Sequence, residues 1–252
     1  MKIITVINQK GGTGKTTTAA ALLSYYREQG RDVLGIDLDP QCNLSLALGA
    51  DTNRRSILGA LTGEAHICDC IQYTASGDII CGSSALAAAE SIINQTGREY
   101  KLREVLQSKD IQTRNYEYIV IDSPPALGVL SVNALTAADT VIIPCQADLF
   151  SIQGLKQLEN TISAVKKYCN PALKIAGILL TRHNGRTVLA KDLQTVLESA
   201  AAEMNTRVFK TAIRDSVVIK QAQAMQRSIF TQQGGAVDDY RAFIEEFENG
   251  RA

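Results

Sequence analysis

The run Gln9-Lys10-Gly11-Gly12-Thr13-Gly14-Lys15-Thr16-Thr17 gathers glycines, lysines and hydroxyls close to the start of a 252-residue chain. Residue types in this order suit phosphate, because glycines let backbone N–H groups converge on one concavity that side chains would otherwise fill. In such a loop Lys15 reaches the β and γ phosphates, and the Thr16 hydroxyl ligates Mg2+. The general pattern G-x-x-x-x-G-K-[ST] is met except at its first position, where Gln9 stands for glycine and a second lysine, Lys10, follows. Spacing alone leaves Lys10 equally readable as a solvated surface charge. Two further runs close on acids. Asp37-Leu38-Asp39-Pro40-Gln41 ends an apolar stretch, and carboxylates at the C-terminal edge of a strand beside a phosphate loop hold Mg2+ or orient water. Asp-Pro also favours a turn by itself. Tyr116-Glu-Tyr-Ile-Val-Ile-Asp122 is the second, with Asp122 placed to orient the water shell of Mg2+.

The elements that must carry these residues follow from the apolar pattern. The β-branched run Ile3–Ile7 leads into the loop and Thr18–Leu23 leads out, which reads as strand, loop and helix, the helix N-terminus adding a favourable dipole. The helix should run to about Gln29 and stop at Gly30, a natural C-cap. Strands are predicted over Arg31–Asp37, Tyr116–Asp122, Thr140–Pro144 and Leu173–Thr181. The near-continuous apolar character of the last suggests a parallel sheet covered on both faces. A long amphipathic helix reaches about Tyr168, and another closes the chain over Ala236–Asn249. The alternation implies an α/β fold: a doubly wound, mainly parallel sheet with helices on both faces and the nucleotide at the C-terminal strand edge. Residues 1–252 read as a single domain without internal repeats. Residues 50–110 carry only short signals, at Ile57–Leu61, Asp78–Ile80, Ala85–Asn94 and Arg98–Leu106, and Ala85–Ala89 reads as part of a packed helix.

Composition narrows the classes. With 45% hydrophobic residues the chain fills a sizeable core. No run approaches the roughly 18 apolar residues of a membrane span, and the first apolar segment is too short for a secretory signal. A cytoplasmic protein is expected. Six cysteines include no C-x-x-C pair, so no disulfide framework or redox motif is suggested. His66-Ile-Cys68-Asp-Cys70 offers three potential metal ligands without an evident fourth, and alternation on an edge strand or loop explains it as well. The formal net charge is zero, which argues against a wholly basic nucleic-acid binder. Residues 160–230 nevertheless carry eleven Lys or Arg against four acids, and the last fifteen residues carry five acids and two arginines.

Lys10-Gly-Gly-Thr-Gly-Lys-Thr-Thr17 resembles the deviant Walker A motif of the ParA/MinD family of ATPases. Asp37-Leu-Asp-Pro-Gln41 resembles that family's switch I, and Asp122-Ser-Pro-Pro-Ala-Leu-Gly128 its switch II. Gln146-Ala-Asp-Leu-Phe-Ser-Ile-Gln-Gly154 continues the likeness, which spans nearly the whole chain. Cys42 departs from it, standing where glycine is usual. The resemblance implies ATP and Mg2+ as ligands and a homodimer with ATP at its interface. Lys10 would be the signature lysine that reaches the partner's phosphates. Gly11, Gly12, Thr13, Gly14, Lys15, Thr16 and Thr17 would form the phosphate site, and Thr16, Asp39 and Asp122 the metal site. Lys10, Lys15 and Asp39 would be the catalytic residues, Asp39 positioning the attacking water. Thr181-Arg-His-Asn184 looks like the family's adenine-side stretch, which makes Arg182 and Asn184 candidates there. Arg186 and Arg214 match positions that contact DNA, although the proline usual before the second is missing, and Lys220 lies in the same basic region.

A ParA/Soj-like partition ATPase is therefore the leading expectation: an ATP-driven dimer that binds DNA without sequence preference, near the nucleoid, until a ParB-like activator stimulates hydrolysis and release. The loop begins at residue 9, which leaves no room for an N-terminal helix-turn-helix, so DNA contact is expected to be phosphate neutralisation. A MinD-like, membrane-associated positioning ATPase is the alternative, but it needs a basic amphipathic C-terminal helix and this one is acidic. A metal-cluster carrier or small-molecule ligase on the same fold would want paired interface cysteines or a substrate pocket.

Overall fold

A β-branched run such as Ile3–Val6 prefers the pleated, extended backbone, and its two-residue period sends Ile3 and Ile7 to one face of a sheet and Ile4 and Val6 to the other. The computed structural model describes residues 1–183 and 188–250, with backbone alone at 149, 150, 152 and 188–194. It begins with β1 (Lys2–Val6), α1 (Lys15–Glu28), β2 (Val33–Asp37), α2 (Asn43–Ala47) and α3 (Ile57–Thr62). There follow β3 (Ile71–Thr74), β4 (Gly77–Ile80), α4 (Ala89–Ile92), α5 (Lys101–Leu106), α6 (Lys109–Gln112), β5 (Tyr118–Asp122) and α7 (Val129–Ala137). The remainder is β6 (Thr140–Cys145), α8 (Leu149–Tyr168), β7 (Lys174–Leu180), α9 (Val188–Glu203), α10 (Val217–Ala224) and α11 (Gly235–Asn249).

The seven strands form one sheet in the order β3-β4-β2-β5-β1-β6-β7, parallel throughout except for the β3–β4 hairpin at one edge. The expected doubly wound, mainly parallel sheet is therefore present. One apolar layer packs α3, α5, α7 and α8 on one face, and the other packs α1, α10 and α11 on the opposite face. On α11 the buried residues Ala236, Val237, Tyr240, Phe243, Ile244 and Phe247 recur at helical spacing, and Phe243 meets Phe209 edge-on with ring centroids 5.0 Å apart. At the far end of the same face Tyr26 stacks on Tyr118 at 3.9 Å.

Register is what matters for the site. Val6 pairs with Asp122 and Asp122 with Asp37, so the C-terminal ends of β1, β5 and β2 finish level. A phosphate loop leaving β1 and acids ending β2 and β5 must then meet at one edge. The helix after the loop ends as expected: Gly30 adopts φ 73°, and the Arg31 amide closes back onto the Tyr26 carbonyl at 3.0 Å.

Residues 50–110 depart from the sequence reading in two places. Ala85–Ala89 is mostly a tight 3-10 turn, Ser84–Ala88, which buries Leu86 while Ala85, Ala87 and Ala88 face solvent. Helix propensity had no packing surface to act on there. The strand β3 carries no sequence signal of its own. Its partner and its turn create it, Gly77 taking φ 123° with the Thr74 hydroxyl bonded to the Gly77 carbonyl. His66 precedes a 3-10 turn, Ile67–Cys70, with its Nε2 3.1 Å from Asp110, and Arg55 pairs with Asp69.

Candidate functional site

The loop between β1 and α1 is held from both ends. The Asn8 side chain, fully buried, donates to the Pro144 carbonyl at 2.7 Å and accepts from the Lys10 amide at 3.0 Å. Thr181 donates from its hydroxyl to the Thr13 carbonyl at 2.8 Å, and Gln146 donates to the Gly12 carbonyl at 2.8 Å. The last two bonds occupy the loop carbonyls of Thr13 and Gly12, and the first pair ties the start of the loop to β6. Gly12 and Gly14 take φ 76° and 88°, the left-handed region where a Cβ is strained, and Gly14 is the N-cap of α1. Asn8, Gln146 and Thr181 were not legible as site residues, since each acts by bracing backbone rather than by touching a ligand.

Lys15 is buried at the first turn of α1, its ammonium donating to the Lys10 carbonyl at 3.2 Å. Burial lowers its pKa, against the opposing pull of Asp122 and Asp39. A cation in that state gains from any further anion. Next to it, Thr16 donates to Asp122 Oδ2 at 2.7 Å, while Asp122 Oδ1 is buried without a hydrogen-bond partner. Burial first, and then the charge of Asp37, push the Asp122 carboxyl well above the usual range, with Thr16 and Lys15 resisting. A hydroxyl on a carboxylate, one oxygen of which is orphaned and surrounded by other acids, is the donor set a hard divalent cation satisfies. The residues at this point therefore fit Mg2+.

Asp37 and Asp39 divide their work. The buried Asp37 carboxylate accepts from the Asp39 amide at 3.1 Å and from the Ser45 amide and hydroxyl at 2.8 and 2.7 Å. Burial raises its pKa to about 6 against those bonds. It fixes the backbone of the turn that carries Asp39. The Asp39 side chain makes only one local bond, accepting from the Gln41 amide at 2.9 Å, and it lines the cleft. Cys42, at the glycine-like position, adopts φ 55° with its side chain buried.

These residues border one cleft of about 310 Å³, lined by Gly11, Gly12, Gly14, Lys15, Thr16, Thr17 and Asp39 on the loop side. The opposite side comes from the segment 213–223 together with Arg182 and Tyr240. That wall is fastened by α11. Asp239 accepts from the Arg214 amide at 3.0 Å and from its guanidinium twice at 2.8 Å, and Glu246 accepts from the Lys210 and Thr211 amides at 2.8 and 2.9 Å. The Tyr240 hydroxyl meets Thr18 Oγ1 at 3.3 Å. Gly235 leaves room for this pair, since a Cβ there would lie 2.4 Å from the Arg214 guanidinium and push it aside. Arg182, at φ 51°, and Lys220 lie 3.5 and 3.9 Å from Asp215 Oδ1. Arg182, Arg214 and Lys220 thus share the cleft rim, and Asn184 and Arg186 lie outside the described residues. Thr13 is buried, its hydroxyl donating to the Lys10 carbonyl at 3.3 Å, so its side chain braces the loop from within.

The family model described as an AAA domain matches residues 1–175. The sporulation initiation inhibitor protein Soj of Bacillus subtilis (strain 168) is 37% identical over 233 residues, covering 90% of each chain. The chromosome partitioning protein ParA of Caulobacter vibrioides (strain NA1000 / CB15N) is 36% identical over 235 residues, 91% of this chain and 86% of its own. The chain belongs to the ParA/Soj family of partition ATPases. A Mycobacterium smegmatis crystal structure, described as cobyrinic acid a,c-diamide synthase with bound ATP analogue and magnesium, superposes with a TM-score of 0.84 at 33% identity, covering 97% of this chain and 93% of the other.

In this ParA/Soj-family chain the second lysine is turned away from its own loop. Lys10 Nζ sits 2.7 Å from Asp148 Oδ2, each side chain 32% exposed, and Asp148 also caps α8 by accepting from the Ser151 amide at 2.9 Å. Among the described residues, Lys10 is not part of the cleft lining.

Proposed function

We propose that this chain is an ATP-dependent DNA-partitioning ATPase acting as one P-loop domain over residues 1–252. The observation that carries the reading is the convergence of Lys15, Thr16 and Asp39 on one cleft whose far rim bears Arg182, Arg214 and Lys220, with Asp122 bonded behind Thr16. ATP is the substrate, its phosphates in the loop 9–17 and its base toward Arg182 and Asn184. Thr16, Asp122 and Asp39 would hold Mg2+, which neutralises charge developing on the phosphates. Lys15 supplies the fixed positive charge against the β and γ oxygens. Asp39, on a turn braced by Asp37, orients the attacking water, and water exclusion comes from a second copy of the chain closing over the cleft. The relatives named for chromosome partitioning support this assignment, and a ParB-like activator and non-specific DNA are the partners it implies.

Lys10 enters through that second copy. An ion pair about one-third exposed is worth at most about 1 kcal/mol, so Asp148 holds Lys10 weakly enough for a partner's phosphates to take it over. Lys10→Ala protein is expected to bind ATP as a monomer with little loss of affinity and to remain monomeric when sized with ATP. A normal ATP-dependent dimer would return Lys10 to the role of a surface charge.

The direct test of the function is a gel shift of plasmid DNA with ATP, with ADP and without nucleotide, repeated with anionic liposomes in place of DNA. DNA retention that requires ATP supports the reading, and retention by liposomes alone favours the membrane-associated alternative. Among the described residues no helix is long and apolar enough to cross a membrane, and the α11 surface exposes acids such as Glu245. Because Arg214 is clamped to Asp239, a glutamate there would set two carboxylates together, so Arg214→Gln is the cleaner variant. Arg214→Gln and Lys220→Glu are each expected to weaken DNA binding alike on all sequences while ATP turnover persists. The slope of log K against log salt should fall by roughly one per lost phosphate contact. Loss confined to particular sequences would contradict non-specific binding.

The likeness to the M. smegmatis protein favours a second reading, ATP-dependent amidation of an organic carboxylate. ATP turnover accelerated by DNA, and indifferent to ammonia and tetrapyrrole carboxylates, decides for partition.

A further inference from the structure

The helix α7 begins without a cap of its own, since Gly128 at its N-cap has no side chain to turn onto the first amides. The cap comes from 39 residues earlier in the chain. Glu90, on α4, accepts from the Val129 amide at 2.5 Å through Oε1, while its Oε2 lies 3.7 Å from the Arg98 guanidinium. A Cβ at residue 128 would run into Glu90 Oε1, so it is the missing side chain there that admits the remote carboxylate. Asn133 forms the buried half of the same clasp. It donates to the Arg98 and Val129 carbonyls at 2.8 Å each and accepts from the Leu102 amide at 2.9 Å. The Glu90 side chain, by contrast, is 59% exposed and reaches α7 through the Val129 amide.

What this bond holds is the end of the strap 123–128. The strap starts fixed in the sheet, where Asp122 ends β5 and the Ser123 amide donates to the Val6 carbonyl at 3.2 Å. Its middle reaches the nucleotide cleft, and Pro125 lines the same space as Lys15 and Asp39. Its far end is tied to the first turn of α7, the Ser131 hydroxyl donating to the Ala126 carbonyl at 2.6 Å. The strap therefore lies wherever that turn is held. We propose that Glu90 is a positioning residue for ATP hydrolysis: by capping α7 from outside, its carboxylate sets how the strap presents Pro125 to bound nucleotide. The inference rests on the ATPase reading of the cleft. The phosphate loop and Asp122 are anchored by β1 and β5 whether or not the cap is made. Nucleotide binding is thus independent of Glu90, and turnover is not.

The test compares wild-type, Glu90→Ala and Glu90→Gln protein in ATP turnover at saturating ATP, in ADP affinity, and in hydrogen exchange of the amides from 123 to 132. Glu90→Ala is expected to lose about three- to tenfold in turnover, part of the worth of a hydrogen bond to a charged group, with ADP affinity within about twofold. Exchange should quicken in that stretch alone. Glu90→Gln keeps the accepting oxygen and should bring turnover and exchange back close to wild type. Gly128→Ala displaces the same carboxylate, so it should reproduce the Glu90→Ala loss and add little to it in the double variant. Wild-type turnover or unaltered exchange in Glu90→Ala, an ADP affinity that falls as far as turnover does, a Glu90→Gln protein as slow as Glu90→Ala, or additive losses in the double variant would each overturn the inference. A wild-type protein that turns over no ATP would instead overturn the reading of the cleft, so the two failures are distinguishable.

Discussion

Lys15→Ala protein is expected to lose ATP affinity by about a hundredfold or more, the largest effect of any single substitution in this chain. Hydrogen bonds to charged groups are worth roughly 1.5–3 kcal/mol each, and one ammonium facing two phosphates makes at least two. The structure removes the usual escape. Lys15 is buried, its pKa lowered by that burial, and its hydrogen bond in the free protein is to the Lys10 carbonyl, a neutral acceptor. Phosphate thus replaces a poor partner with a good one, and no other side chain on the loop side of the cleft carries a positive charge. The substitution also takes the Lys15 charge away from Asp39 and Asp122, so the free protein should unfold more readily. Fluorescent-nucleotide titration and thermal unfolding on the same preparation separate the two effects. Unchanged nucleotide affinity in a folded Lys15→Ala protein would refute the phosphate-loop assignment.

Asp39→Ala should do something different. Lys15, Thr16 and Asp122 remain to hold the nucleotide, so binding should survive, while turnover falls at least about a hundredfold, the usual scale for removing a group that orients or deprotonates the nucleophile. The structural loss is small, because the turn is fixed by Asp37 and only the bond to the Gln41 amide depends on the Asp39 carboxylate. A dimer that persists as long as the γ phosphate does would then accumulate and stay on DNA in the presence of an activator. ATP turnover and DNA retention measured on one sample decide the matter: near-normal hydrolysis by a folded Asp39→Ala protein leaves Asp39 as a turn residue only.

How much of this was legible in the sequence depends on how local each feature is. The loop 9–17 announces itself, because glycines, lysine and threonine must stand at fixed offsets for one concavity, and the strands that carry it are unbroken apolar runs. Asp39 and Asp122 were legible for a similar reason, Asp122 ending β5 and Asp39 standing two residues past the end of β2. The other half of the cleft was legible only at Arg182, Arg214 and Lys220. Ile213, Ser216, Gln223 and Tyr240 reach it from segments some 200 residues later, held by side chains on α11 whose spacing says only that the helix is amphipathic. The bracing residues Asn8 and Thr181 are silent for another reason: their bonds run to backbone carbonyls, which leave no mark on sequence. In residues 50–110 the hairpin β3–β4 depends on tertiary pairing of two four-residue strands, too short for a period to be read.

The fastening of the far wall by α11 sets an order on biosynthesis. Residues 9–17 leave the ribosome well before residues 235–249, and a strand, loop and helix that close locally are able to form in that interval. The segment 207–216 lies against β7, through the Ile178–Val208 bridge, but Lys210, Thr211 and Arg214 receive their carboxylate partners only from Asp239 and Glu246. A nascent chain that has not yet folded residues 235–249 therefore offers nucleotide a one-sided grip. The cleft becomes two-sided only when α11 docks, so the capacity to engage ATP, and with it any partner copy, is withheld until residues 235–249 have been made and folded.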